Sequence, residues 1–144
     1  MTLQRRPSIK TACFIVGLAV LFVIAARSIA AAAPGDAQEG AVHSYGLSEI
    51  PGTRLTAVVV KYPPGGKSGR HHHAGSAFAY VLSGAVRSEN SATGPARIYR
   101  AGETFFEPSG SAHLVSENAS TTEPASFLAV FVAPDGASLT TADP

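Results

Sequence analysis

The sequence predicts an all-β domain, a sandwich or a small barrel, on three observations. Helical periodicity is absent after residue 34. In its place stand short runs rich in Val, Phe, Tyr and Ala, side chains that suit a half-buried pleated surface. Clusters of Gly, Pro, Ser and Asn separate these runs at near-regular spacing and act as turn signals.

The runs can be taken in order. "RLTAVVVKY" (54–62) reads as a strand, stopped by "PPGGKSG" (63–69). "AFAYVLSG" (77–84) and "AVRSE" (85–89) read as two strands about a glycine turn or bulge, and "NSATGP" (90–95) as a loop. "ARIYR" (96–100) is a strand, and "AGE" (101–103) turns into the strand "TFFE" (104–107). Beyond "PSGSA" come "HLVSE" (113–117), the polar loop "NASTTEP" and the strand "SFLAVFV" (126–132). The polar end, 134–144, is expected to be a flexible tail. No repeat and no second domain is visible.

The N-terminal residues 1–33 have a different character. Arg5, Arg6 and Lys10 precede the apolar "TACFIVGLAVLFVIAA" (11–26), followed by "RSIAAAAP". A basic start, an apolar centre and a small-residue A-x-A site form the pattern of a secretory signal peptide. The alternative is an uncleaved membrane anchor, but these 16 residues fall short of a span and Arg27 interrupts any extension. Arg5, Arg6, Ile9 and Lys10 also fit the outline of a twin-arginine signal, from which Gln4 and Ser8 depart; an ordinary basic start is the other reading. Cleavage near Ala32 or Ala33 predicts a periplasmic or secreted protein of about 111 residues.

Removal of that segment changes the charge. Four of the 11 Lys and Arg lie in it, whereas all 10 Asp and Glu lie beyond it, leaving a net charge of −3. A chain of this charge has no basic stripe for nucleic acid. The single cysteine, Cys13, leaves with the apolar run. The remainder therefore forms no disulfide and offers no thiolate, so a bound metal must use His, carboxylate or water.

The chemistry-bearing stretch is "GRHHHAGSAFAYVLSGAV" (69–86). On a strand, His71 and His73 share one face and His72 takes the other. Two imidazoles at i and i+2 are half a metal site, although histidines beside a glycine-rich loop also have a solvated reading. Forty residues on, "GETFFEPSGSAHLVSEN" (102–118) places His113 after the turn P-x-G-x-x-H. Alone it would read equally well as a satisfied core histidine. The two segments together point to one shared site.

These two segments resemble the motifs of the cupin family. The first cupin motif is a glycine, H-x-H, a glutamate and an apolar strand closed by glycine; Gly65, His71, His73 and "YVLSG", ending at Gly84, follow it. The second, G-x5-P-x-G-x2-H, is matched without a gap by Gly102, Pro108, Gly110 and His113. The resemblance covers residues 54–132 and is similar to that of small bacterial single-domain cupins. It implies an antiparallel double-stranded β-helix, or jelly-roll barrel, over 54–133, after an N-terminal arm at 34–53. It also implies His71, His73 and His113 as ligands of one divalent metal, a small-molecule substrate or ligand, and a homodimer.

One position departs from the family. Counting back from Gly84, the usual metal-binding glutamate falls on Ala77, which has no lone pair to offer. Ser76 adjoins the vacancy but is a weak ligand. Glu89 and Glu107 lie on strands and could face inward, yet both read as solvated or outer-sphere carboxylates.

Three neutral imidazoles on a rigid barrel leave open positions for water or substrate, the layout of a catalytic site rather than a closed structural one. Imidazole suits Fe, Zn, Cu and Ni, and loss of the carboxylate disfavours Mn. The expected function is that of an oxygenase-type enzyme acting on a small organic substrate. The alternative is a non-catalytic cupin that binds metal or a small ligand, and a third reading is a barrel with vestigial histidines. Strand alternation places Ala77, Ala79 and Val81 on the wall with His73, and Val115 and Glu117 with His113. It splits Phe105 and Phe106 between faces without saying which is inner.

Overall fold

The computed structural model describes residues 35–144, and the expected signal peptide at 1–33 lies outside the described residues. No helix occurs among the described residues. Eleven strands form two antiparallel sheets, so the expected all-β double-stranded β-helix is the fold of this chain. The strands are β1 (Gln38–Gly46), β2 (Thr53–Tyr62), β3 (Lys67–Ser68), β4 (His71–His73), β5 (Ser76–Ser83), β6 (Ala85–Asn90), β7 (Gly94–Arg100), β8 (Thr104–Glu107), β9 (Ala112–Asn118), β10 (Ala125–Pro134) and β11 (Thr140–Ala142). One sheet runs β1-β2-β10-β5-β8; the other runs β11-β4-β9-β6-β7, with β3 paired to β9.

Alternation decides which side chains lie between the sheets. On β10, Ala125, Phe127, Ala129, Phe131 and Ala133 are buried in strict succession. On β5 beside it, Ala77, Ala79 and Val81 point the same way. Phe131 lies opposite Ala77, Ala129 opposite Ala79, and Phe127 opposite Val81. A phenylalanine thus stands in each of the outer two pairs, while the Ala129–Ala79 pair between them leaves space.

The other sheet turns a polar face inward. His71, His73, Ser88, Asn90, His113, Ser116 and Asn118 are all buried there, with Val86 as an apolar exception. Buried polar groups require partners, and all those of the described residues have one. The interior is therefore asymmetric, with an apolar wall from the first sheet facing an imidazole-bearing wall from the second.

Two segments expected outside the barrel are strands of it. The arm contributes β1, paired with β2 from Gln38↔Lys61 to Gly46↔Arg54. The tail is not frayed at 140–142, where β11 pairs with β4 and sets Thr140 opposite His73. Both segments are edge strands with largely exposed side chains, Val42 and Tyr45 of β1 among them. Edge strands of this kind lack the alternating apolar signal from which strands are read.

Candidate metal centre

The three histidines reach one place by separate routes. β4 is only three residues long, but its alternation is complete: His71 and His73 are 9% and 7% exposed, whereas the His72 side chain is 44% exposed. His72 turns outward to Asp143, Nδ1 to Oδ1 at 2.6 Å. β9 supplies His113, which lies directly opposite His71 across the ladder and is 2% exposed. One ligand-capable atom from each of the three lies within 4.8 Å of the others.

Backbone carbonyls set the tautomers of the β4 histidines. His71 Nδ1 donates to the Gly69 carbonyl at 2.7 Å, and His73 Nδ1 to that of Leu139 at 2.9 Å. Each Nε2 is then left with its lone pair free for a metal, the usual outer-sphere arrangement of ligating histidines. His113 is held from the other side, with Nε2 2.9 Å from Ser88 Oγ. Its Nδ1 faces the centre, where it donates to Glu107; a metal there would take the place of that proton, with Nε2 then donating to Ser88.

The turn that follows β8 explains the spacing around His113. Ser111 N–H donates to the Pro108 carbonyl at 3.1 Å, and Gly110 adopts a φ of 77°. Only glycine takes that conformation cheaply. The turn carries the chain from one sheet to the other, with Glu107 at its start and His113 just past its end.

Glu107, read from the sequence as solvated or outer-sphere, is the buried one of the two candidate carboxylates. It is 5% exposed and not solvated. Its Oε2 lies 3.0 Å from His113 Nδ1, 3.7 Å from His73 Nε2 and 3.3 Å from Asn90 Nδ2. Asn90 is itself oriented, since its Oδ1 accepts the Ala92 N–H at 2.9 Å. Glu89 lies on the opposite face of β6 from the buried Ser88 and Asn90. Ser76 also faces away from the centre, and its hydroxyl accepts the Ser109 N–H at 3.3 Å.

Parity holds along β5 and fails along β9. Ala77, Ala79 and Val81 line the interior as expected. Beyond His113 the ladder slips: Asn90 pairs with His113 but Glu89 with Val115, so Leu114 has no partner on β6. Such a bulge reverses the faces. Ser116 and Asn118 point inward, and Glu117 points outward to Arg87 at 2.8 Å, contrary to the expectation for Val115 and Glu117. Of the phenylalanine pair, Phe105 is the inner one and Phe106, 49% exposed, the outer.

The histidines open onto a cavity of about 330 Å³, a size for a compact organic molecule. Ala77, Ala79, Ala129, Phe127 and Phe131 form one wall, and Lys67 and Arg70 lie towards the exposed side. Tyr62 spans the floor, its hydroxyl 2.8 Å from Ser68 Oγ and 2.7 Å from Ser116 Oγ.

Burial pulls His73 below its ordinary value of 6.5, against the opposing attraction of Glu107. At Glu107, burial acts upward, but the His113 hydrogen bond and the surrounding imidazoles outweigh it and hold the carboxyl below 4.5. Both groups therefore bind protons less readily folded than unfolded. The stability from His73 is present above about pH 6.5 and declines as pH falls through that value towards its folded one; that from Glu107 is lost as pH falls further, through its own folded value. The melting temperature of metal-free protein should fall on acidification from about pH 6.5, with the upper part of that slope missing in His73→Ala.

The C-terminal segment carries the Leu139 carbonyl that orients His73. Deleting residues 138–144 removes this acceptor and β11 but leaves the first sheet intact. Metal affinity should drop about tenfold or more while the far-ultraviolet circular dichroism stays that of a β protein. Unchanged affinity in a calorimetric titration would show that His73 is oriented without it.

A family model described as "Cupin domain" matches residues 58–131. Among solved structures, the chain is similar to the DMSP lyase DddQ from Ruegeria pomeroyi at 24% identity and a TM-score of 0.52, over 61% of this chain and 42% of that one. It is similar to Bacillus subtilis oxalate decarboxylase, a protein with Mn(II) centres, at 27% identity and a TM-score of 0.51, over 61% and 23% of the two chains. A conserved protein with a double-stranded β-helix domain from Klebsiella pneumoniae matches at 26% identity and a TM-score of 0.50, over 62% and 76%. The chain spans less than half the length of the first two. No curated protein matches it.

Proposed function

The chain belongs to the cupin family, and we propose that it is a metal-dependent enzyme acting on a small organic substrate, with His71, His73 and His113 holding one divalent transition metal. One observation carries this reading: His71 and His73 each have Nδ1 tied to a backbone carbonyl, which aims both Nε2 atoms into a cavity that His113 also faces. Buried histidines in a merely structural role need no such common focus. The donor set fits iron, zinc, copper or nickel. When bound, the metal supplies Lewis acidity or, for iron or copper, a platform for dioxygen.

The chain's own residues set what can enter. The alanine wall admits a compact body, and the phenylalanines keep water from its apolar side. At the mouth Lys67 and Arg70 stand with Asp36 and Glu39, and Arg70 pairs with Asp143 at 3.4 Å, so charge of both signs meets an entering molecule. The likeness to oxalate decarboxylase, a protein that acts on a small carboxylate, supports the same substrate size.

The other reading is a non-catalytic cupin that binds metal or a small ligand. In its favour, the hydroxyl of Tyr62, a buried proton donor on the wall, is engaged by two serines rather than free for a substrate. Elemental analysis of protein taken from its native host, followed by dioxygen uptake with small carboxylate, diketone and phenolic substrates, separates the two. Stoichiometric metal with turnover supports the enzyme, metal without turnover of any substrate class supports the metal binder, and protein free of metal overturns both of these and leaves the small-ligand binder. We also read the chain as exported, on the strength of the basic, apolar and A-x-A segments in 1–33; N-terminal sequencing should find a start near Pro34.

A further inference from the structure

We propose that Glu107 is the fourth protein ligand of the centre, supplying from β8 the carboxylate that position 77 of β5 lacks. This deepens the three-histidine reading and rests on it.

Register is the first ground. Ala77 and Glu107 are direct partners in the β5–β8 ladder, and both are buried on the inner face, at 2% and 5% exposure. Direct partners on one face have Cβ atoms about 5 Å apart, within the reach of a glutamate side chain. A carboxylate on β8 can therefore occupy the space that one on β5 would use. Two there would collide in both volume and charge, so an alanine at 77 is what a glutamate at 107 requires.

Distance is the second. Atoms bound to one metal at about 2.1 Å lie about 3.0–3.4 Å apart for tetrahedral or octahedral angles. Glu107 Oε2 is 3.0 Å from His113 Nδ1 and 3.7 Å from His73 Nε2. The carboxylate is thus already at co-ligand spacing from His113 Nδ1 and a little beyond it from His73 Nε2. Its remaining contact, the Asn90 amide, is the outer-sphere hydrogen bond that ligating carboxylates carry.

Charge is the third. A buried carboxylate is strongly disfavoured unless a cation accompanies it. Among the described residues, the ion-pairing partners of Glu107 are His73 and His113, which are cations only when protonated. Lys67 and Arg70 line the cavity but make no ion pair with Glu107. A divalent ion at the common focus would balance the carboxylate.

Removing an anionic ligand and removing an outer-sphere partner have different signatures. Loss of the ligand softens the donor set and penalises Mn2+ more than Ni2+; loss of an outer-sphere partner weakens both alike. The experiment titrates metal-free full chain, Glu107→Gln and His73→Ala with Mn2+ and with Ni2+ by calorimetry. For Glu107→Gln we expect Mn2+ affinity to fall about a hundredfold or more and Ni2+ affinity clearly less. Equal losses, or none, overturn the proposal. If His73→Ala also binds like the parent protein, the three-histidine reading fails with it; if His73→Ala loses metal while Glu107→Gln does not, the fourth-ligand assignment alone fails. Should Glu107→Gln not fold, the double variant Ala77→Glu/Glu107→Ala decides. Mn2+ binding near the parent level supports a ligand carboxylate in this space, and binding no better than in Glu107→Ala overturns it.

Discussion

Alanine at position 73 or 113 should empty most of the metal site, and alanine at position 72 should leave it nearly full. His73 and His113 are buried and focused on one point, so each replacement removes a ligand that no neighbouring side chain can replace. Losing an outer-sphere partner already costs about 10–100-fold in affinity, and losing a ligand should exceed the upper figure. His72 is adjacent in sequence but faces solvent, where its contact with Asp143 is a screened surface pair of little consequence for stability. Metal content of the purified variants, together with their thermal shifts on adding metal, gives the answer. Comparable depletion in all three would mean that strand alternation does not determine which imidazoles reach the cavity.

The contrast between His72 and its neighbours was legible because it depends on period alone. A strand period of two needs no knowledge of partners, and it correctly placed Ala77, Ala79 and Val81 as well. The P-x-G-x-x-H spacing was legible for a related reason: a glycine with positive φ after a proline fixes a tight turn from local residues. What was hidden depends on pairing. The choice between solvated and outer-sphere stayed open for Glu107 because "TFFEP" does not say which phenylalanine points inward, and its nearness to Ala77 is a register fact of the β5–β8 ladder. The reversal beyond His113 has the same origin, since the bulge at Leu114 exists only relative to β6. β1 and β11 were missed because an edge strand with exposed side chains is held by backbone pairing and bears no periodic apolar mark.

Gly75 should prove far less tolerant than Gly69, although each lies two residues from a histidine of the site. Gly75 sits in the short link that carries the chain from β4 in one sheet to β5 in the other. A Cβ there would lie 2.0 Å from the Val132 carbonyl oxygen and 2.7 Å from Ala133 Cα. Both are backbone atoms of β10, a strand paired along its length with β2 and β5, so neither can swing aside as a side-chain tip would. Gly75→Ala must therefore displace either β10 or the link itself. Because His73 and Ala77 flank that link, movement there spreads to the centre. Overpacking of a well-filled interior costs about 1–3 kcal/mol, and a clash with paired backbone belongs at or above the upper end. About 3 kcal/mol corresponds to roughly 12 °C of melting temperature in a domain of this size. At Gly69 an added Cβ meets nothing within 4 Å, and its carbonyl still accepts from His71. Gly69→Ala should remain within about 0.5 kcal/mol of the parent. Melting curves and metal titrations of the two variants, taken side by side, should show Gly75→Ala losing both stability and affinity and Gly69→Ala losing neither. Coincident melts would mean that β10 yields at Val132 and that the link between the sheets does not hold His73 in place.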